Sequence, residues 1–297
     1  MKFKPALKQI GINFNYLAKS ALVWTSSFIA IIQIMGFLCE FNDVFPDDIK
    51  FLKRLVISVI VVALMWLVMF IIKCAILLNK EIITVIDGGN NHHVYVEYGN
   101  LFENTSEHRN IVVTANRCFD TIVDNDLIAE TSIHGIAVKK ICSNGYTPQM
   151  LNDALQNDLK TKSIVPDCIL SAKDKRKGNL KRYPVGTIAE FVKSPDDKIN
   201  YFFVGMSAFN SELHPETTDK EYVITVQSLI EFCNSRSQRF PVYMPIIGTN
   251  GRKNKKSERE LLEYMVNTLR FHKHLINTDI HIVVDSERRE SISIYGL

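Results

Sequence analysis

An apolar run at 241–247, Pro-Val-Tyr-Met-Pro-Ile-Ile, stops at Gly248, and Thr249, Asn250 and Gly251 follow before a cationic stretch and a helical pattern. A strand, a short loop and a helix start are the parts from which chains build anion sites. Gly248 and Gly251 let backbone amides approach an anion with no Cβ in the way. Thr249 and Asn250 add side-chain donors. Ile247 at the strand end and Arg252 beyond the second glycine complete the candidate contacts. The spacing is not that of a P-loop. A second glycine would be needed at 253, where Lys253 stands, and no Gly-Lys-Ser/Thr run follows. ATP hydrolysis by that route is excluded. On the residues alone, a phosphate cradle and an ordinary strand-to-helix turn both remain open.

A second constellation lies at 110–121, Asn-Ile-Val-Val-Thr-Ala-Asn-Arg-Cys-Phe-Asp-Thr. A strand ends here in Thr114, Ala115 and Asn116, with Arg117 and Asp120 just beyond. A small residue and a carboxamide at the carboxyl end of a strand suit close contact with a ribose or diphosphate; an Asn turn is the alternative. Asp120 is either a general base or a solvated loop aspartate. His134 either contacts a ligand or packs beside Gly135 at a helix start. His272 and His274 stand two apart on a helix and do not share a face, so no metal site is expected. The six cysteines form no CxxC pair, which suits a reducing compartment.

These residues need a scaffold. Short β-branched or aromatic runs at 93–98, 110–115, 186–193, 199–205, 241–247 and 279–284 read as strands, and Ser-Ile-Ser-Ile-Tyr at 291–295 as one more. Helical periodicity runs over 148–160, 219–236 and 257–275, with Ser257 and Glu260 forming a capping-box signature. The alternation predicts an α/β layered domain. The adjacent strands at 186–193 and 199–205 add an antiparallel pair, so the sheet is mixed. The basic stretch 171–182 reads as an exposed loop, with anionic lipid headgroups as an alternative partner.

The N-terminal part is different. Residues 20–39 and 55–72 contain no charged residue, and each is long enough to cross a hydrocarbon core of roughly 30 Å. Lys2, Lys4, Lys8 and Lys19 precede the first run, and Lys73 and Lys80 mark the end of the second. Cationic flanks remain cytoplasmic. The expected topology is a transmembrane hairpin over residues 1–80, with helices at about 20–41 and 55–78. Both termini are cytoplasmic and a short external loop carries Glu40, Asp43, Asp47 and Asp48. Lys73 is expected to reach toward the headgroups. Residues 81–297 form the soluble domain. No ionisable residue lies in the middle of either run, so helix packing or bilayer disruption fits better than an ion-selective pore. The net charge of +3 is too small to argue for nucleic acid.

The two strand ends together resemble the macro domain family, which binds ADP-ribose. The places of its Gly-Asp-Ile start, its Asn-Ala-Ala-Asn strand end and its late Gly-Thr-Gly loop read Gly-Asn-Leu-Phe-Glu at 99–103, Val-Thr-Ala-Asn at 113–116 and Pro-Ile-Ile-Gly-Thr-Asn-Gly at 245–251. With a preceding membrane hairpin, the chain looks like the membrane-anchored effectors of type II Thoeris anti-phage systems. The resemblance implies a three-layer α/β/α macro-like domain with a mixed sheet, over roughly residues 94–285. It places Asn116 at the distal ribose and Gly248, Thr249, Asn250 and Gly251 at the diphosphate. Asn100, beside Leu101, takes the place of the aspartate that accepts from adenine, so the charge-assisted bond is lost.

Hydrolytic macro domains carry a glycine run after the asparagine; residues 117–134 have none and carry Asp120, Asp124 and Asp126 instead. The implied function is a non-enzymatic sensor in the bacterial inner membrane. An ADP-ribose derivative made by a TIR-domain, NAD-consuming enzyme would drive homo-oligomeric assembly and membrane damage, with no cofactor. A membrane-tethered ADP-ribosyl hydrolase and a structural anchor with a vestigial site are the alternatives.

Overall fold

The computed structural model describes residues 3–39, 51–88, 91–143, 145–192, 198–249 and 256–297. The link between the two apolar runs, with its four acidic residues, lies outside them. The chain divides into two compact units. One holds residues 1–81 with 287–296, the other residues 82–286 with Leu297.

The first unit is helical: α1 (Phe3–Ile12), α2 (Phe14–Cys39) and α3 (Phe51–Asn79). Within α2 and α3, Phe14–Ile34 and Leu55–Asn79 are long and apolar enough to cross a membrane. α2 starts before the expected residue 20 and takes in Lys19. Side chains such as Val23, Ile31, Val59 and Leu64 are exposed within the unit, so both helices are apolar on every side. Two of their hydroxyls are satisfied within α2. Thr25 and Ser27 donate to the carbonyls of Ala21 and Val23, at 2.8 and 2.9 Å. Aromatic contacts join the two helices, with Phe14 and Phe70 rings 5.7 Å apart. Lys73, expected at the headgroups, lies over the Trp24 ring at 3.7 Å.

The second unit is built on a mixed sheet. Its strands in the main path are β1 (Ile82–Asp87), β2 (His93–Gly99), β3 (Arg109–Asn116), β6 (Ile188–Val192), β7 (Ile199–Phe209), β9 (Val242–Pro245) and β10 (Ile280–Asp285). β8 (Pro215–Glu216) pairs with β7 off this path, and β4 (Cys168–Ile169) pairs with β5 (Lys181–Arg182) as a separate two-stranded sheet. The spatial order is β1-β2-β10-β9-β3-β7-β6. β2, β10, β9, β3 and β7 run parallel to their neighbours in that series, while β1 and β6 are antiparallel edges. Helices α4 (Ile133–Ser143), α5 (Pro148–Thr161), α6 (Asp219–Arg236) and α7 (Glu258–Phe271) complete the unit.

β3 is buried along almost its whole length, which is why its sequence reads as a continuous apolar run. Side chains alternate across a strand. Ile111, Val113 and Ala115 therefore join Tyr201 and Phe203 of β7 in one core with α4 and α5. Phe202 of β7 meets Phe232 of α6 edge-on at 5.1 Å. α5 is capped by the Thr147 side chain and begins with Pro148. It buries Leu151, Leu155 and Leu159 at helical spacing, leaving Met150 outside. The capping boxes at Ser257–Glu260 and Thr218–Glu221 are both formed.

Two expectations are corrected. Ser291–Tyr295 forms no strand; the segment belongs to the helical unit. The basic stretch 171–182 is not simply a solvated surface, because Lys175 is fully buried. Leu155 is wholly enclosed, so Leu155→Ala should lower stability by about 2–5 kcal/mol, read as a shift in the denaturant midpoint of the full chain in detergent.

Candidate functional site

β3 and β9 lie side by side, with Asn110 opposite Val242 and Ile111 opposite Tyr243. Beyond their carboxyl ends opens a cleft of about 520 Å³. Its wall includes Thr114, Ala115 and Asn116 from β3, Ile246, Gly248 and Thr249 after β9, and His134 at the start of α4. Both strand-end constellations thus meet in one place, as crevices in open α/β sheets do. Asn250, Gly251 and Arg252 lie outside the described residues.

The turn after β3 fixes the chemistry that Asn116 offers. Its Oδ1 accepts from the Cys118 amide at 2.9 Å, so the nitrogen is the free end of the carboxamide. That nitrogen is buried and has no partner among the described residues. It lies close enough to Asp120 to favour the ionised carboxylate, yet no hydrogen bond of sound geometry joins them. A buried donor without an acceptor is costly, and a ligand oxygen in the cleft would satisfy it. Where glycines would allow the turn, this chain bends with Phe119 at φ 52° and Asn125 at φ 65°. The Phe119 ring is fully buried and meets Tyr183 edge-on at 5.8 Å.

Other sequence candidates sit elsewhere. Asn100 Oδ1 accepts from the Phe102 amide at 2.9 Å, and neither it nor buried Leu101 lines the cleft. Ile247 is buried, with its amide on Met265 Sδ at 3.4 Å. Arg117 donates to the Tyr183 carbonyl at 2.8 Å and pairs with Glu221 at 3.3 Å and with Asp167. It does not line the cleft.

Asp120 is not a solvated aspartate. It is 1% exposed and pairs with Lys175 Nζ at 2.7 Å. It also accepts the Asn179 amide at 2.6 Å. Burial pushes its carboxyl up, and the Lys175 charge and these hydrogen bonds pull it back. Two neighbouring pairs repeat the pattern: Arg176 with Asp126 at 2.6 Å, and Lys177 with Asp124. Bonds from Lys177 and from the Leu127 amide take the Asp124 carboxyl down to about 2. The three aspartates of this glycine-free stretch therefore tie the cleft wall to the basic stretch. His134 is a neutral imidazole. Burial lowers it to about 4 against a weaker pull from the Asp120 backbone, and its Nε2 has no partner among the described residues.

Sequence reasoning missed the opposite wall, which includes Met206, Ser207, Phe209, Leu213 and His214. β7 runs on to Phe209, past the expected end at 205, and turns at Asn210. That side chain accepts the Glu212 and His214 amides at 3.0 and 2.9 Å. The Asn-Ser-Glu turn signal at 210–212 was the available clue.

A mixed sheet between helices, with a ligand-sized cleft at the carboxyl ends of its central parallel strands, defines a domain of the macro type. The chain belongs to the ThsA macro domain family: the model described as "Thoeris protein ThsA, Macro domain" matches residues 94–285. It is similar to the Thoeris protein ThsA of Bacillus amyloliquefaciens (strain Y2), with 25% identity over 226 residues, 74% of this chain and 70% of that protein. Two mutants of the Oceanobacillus iheyensis macrodomain align at TM-score 0.42 with 12% and 11% identity. They cover 72% and 71% of this chain, and 91% and 93% of their own.

Two outcomes follow. Lys175→Met should cost about 3–5 kcal/mol by stranding a buried carboxylate, and adding Asp120→Leu should recover most of that loss; thermal unfolding of the full chain measures both. For His134 the folded value lies below the ordinary 6.5, so the unfolded chain takes up the proton first as pH falls. Its contribution is complete above about 6.5 and is lost toward about 4. The stability advantage of the parent over His134→Leu should therefore shrink by about 3 kcal/mol across that window.

Proposed function

We propose that this chain is a sensor-effector of bacterial anti-phage defence. The macro domain binds an ADP-ribose-derived signal made by a partner TIR-domain enzyme from NAD. Ligand then drives assembly of several copies in the inner membrane, and the apolar helices disrupt the bilayer. The hairpin spans the membrane with both termini in the cytoplasm. Family membership supports the defence role and the ligand class, and two helices of spanning length support the membrane role.

The observation that carries the ligand reading is Asn116. Its amide nitrogen has no hydrogen-bond partner among the described residues, its oxygen is already engaged, and it lines a cleft of about 520 Å³. A ribose hydroxyl is the kind of acceptor it lacks. The same cleft favours binding without turnover. A hydrolase needs a base that can reach a water beside the sugar. Asp120 is enclosed and held by Lys175.

Calorimetric titration of the full chain in detergent with ADP-ribose tests this. Binding should leave the nucleotide intact by chromatography, and Asn116→Ala should weaken it about tenfold. Gly248→Val should weaken it as well, since φ at Gly248 is 84°, a conformation closed to β-branched residues. Release of ribose or a cleaved nucleotide would move the protein to the hydrolase reading.

A further inference from the structure

α3 ends at Asn79 with no basic residue in its last turn, and the final carbonyls of a helix need partners from outside it. Here those of Leu77 and Leu78 find partners more than two hundred residues later in the chain. Tyr295 Oη shares its proton between the carbonyls of Leu77 and Lys80, at 3.1 and 3.0 Å. Arg289 donates to the Leu78 carbonyl at 2.8 Å and pairs with Glu81 at 3.1 Å. The same segment reaches the junction of α1 and α2. The Ser293 hydroxyl bonds to Asn13 Oδ1, and the Tyr295 ring lies 5.4 Å from that of Tyr16. Residues 289–295 therefore lace the start of α2 to the end of α3.

This lacing begins where the sheet ends. Asp285 closes β10, and the grip on α3 starts at Arg289. β10 is the parallel neighbour of β9, whose carboxyl end turns through Gly248 into the cleft. β10 adds no residue to the cleft wall, but through its pairing with β9 the path from the cleft to the base of the helical hairpin is one strand pairing and a few residues long.

We propose that residues 289–295 are a latch that holds the base of the apolar hairpin in its ligand-free arrangement, and that occupation of the cleft releases it. This rests on the sensor-effector reading. Ligand can release the latch only by binding the released state better. Linkage then demands the converse: a weakened latch raises ligand affinity. A segment with only a structural role would produce no such gain.

The test uses the full chain in phosphatidylethanolamine–phosphatidylglycerol vesicles loaded with a self-quenched dye. Tyr295→Phe and Arg289→Gln should each raise leakage without nucleotide by about tenfold, the worth of one or two hydrogen bonds. Each should also tighten ADP-ribose binding. In the Arg289→Gln background, an added Asn13→Cys and Ser293→Cys pair, once oxidised, should return leakage to the parent level, and reductant should restore it. Variants that stay as tight as the parent without nucleotide, or whose affinity is unchanged or weaker, overturn the latch. A parent that neither binds ADP-ribose nor leaks on its addition overturns the sensor reading instead, because the nucleotide-free leakage of the variants still reports on the latch.

Discussion

The cleft depends on one buried ion pair. Asp120 and Lys175 are both enclosed, 1% and 0% exposed, and each would be untenable alone. Withdrawing a charge from water costs several kcal/mol, and only a well-placed counter-charge with further hydrogen bonds offsets it. The pair has those bonds: the Asn179 amide on the carboxylate, and the Asn179 carbonyl on the ammonium at 2.7 Å. Gly178 makes the approach possible, since a Cβ there would stand 2.2 Å from the Asp120 oxygen. The loop carrying Asn116, Phe119 and the start of α4 is thereby pinned to a segment more than fifty residues away. Rigidity that a glycine-rich turn cannot supply comes here from charge.

The consequences differ along the loop. At the cleft, Asn116 and His134 present polar atoms with no partner among the described residues. Further along the loop, Asp124 and Asp126 pair with Lys177 and Arg176 near solvent, where such bridges contribute little to stability and serve mainly to fix register. The thiol in the turn after Asn116 stays protonated. Burial pushes Cys118 up to about 11, too high for a thiolate at neutral pH.

Much of the fold was legible because its signals are local. The alternation in 93–98, the apolar run of 110–115 and the capping box at Ser257 each need only a few neighbouring residues, and each forms as read. The positions of Asn116, Gly248 and Thr249 in the cleft wall were likewise readable, since strand ends are where a parallel sheet exposes backbone. Arg117 and Asp120 were not, because their environments are set by Asp167, Glu221 and Lys175, all remote in sequence. A basic stretch looks the same on paper whether its lysines face water or a buried carboxylate. The run 291–295 misled for a related reason: alternating apolar residues suit a strand, but they also suit a short segment that buries Ile292 and Ile294 against helices.

The placement of Tyr295 also sets a timetable for the ribosome. The carbonyl that it serves on Leu77 belongs to a helix made 218 residues earlier. At about 5–20 residues per second, that helix waits roughly 10–40 s for its last hydrogen bonds. The helical pair is therefore made with one end unfinished, and its base closes only once residues 289–295 have been added. A chain lacking residues 289–295 would keep both long apolar helices and the whole sheet, yet leave the base of the helical pair unclosed.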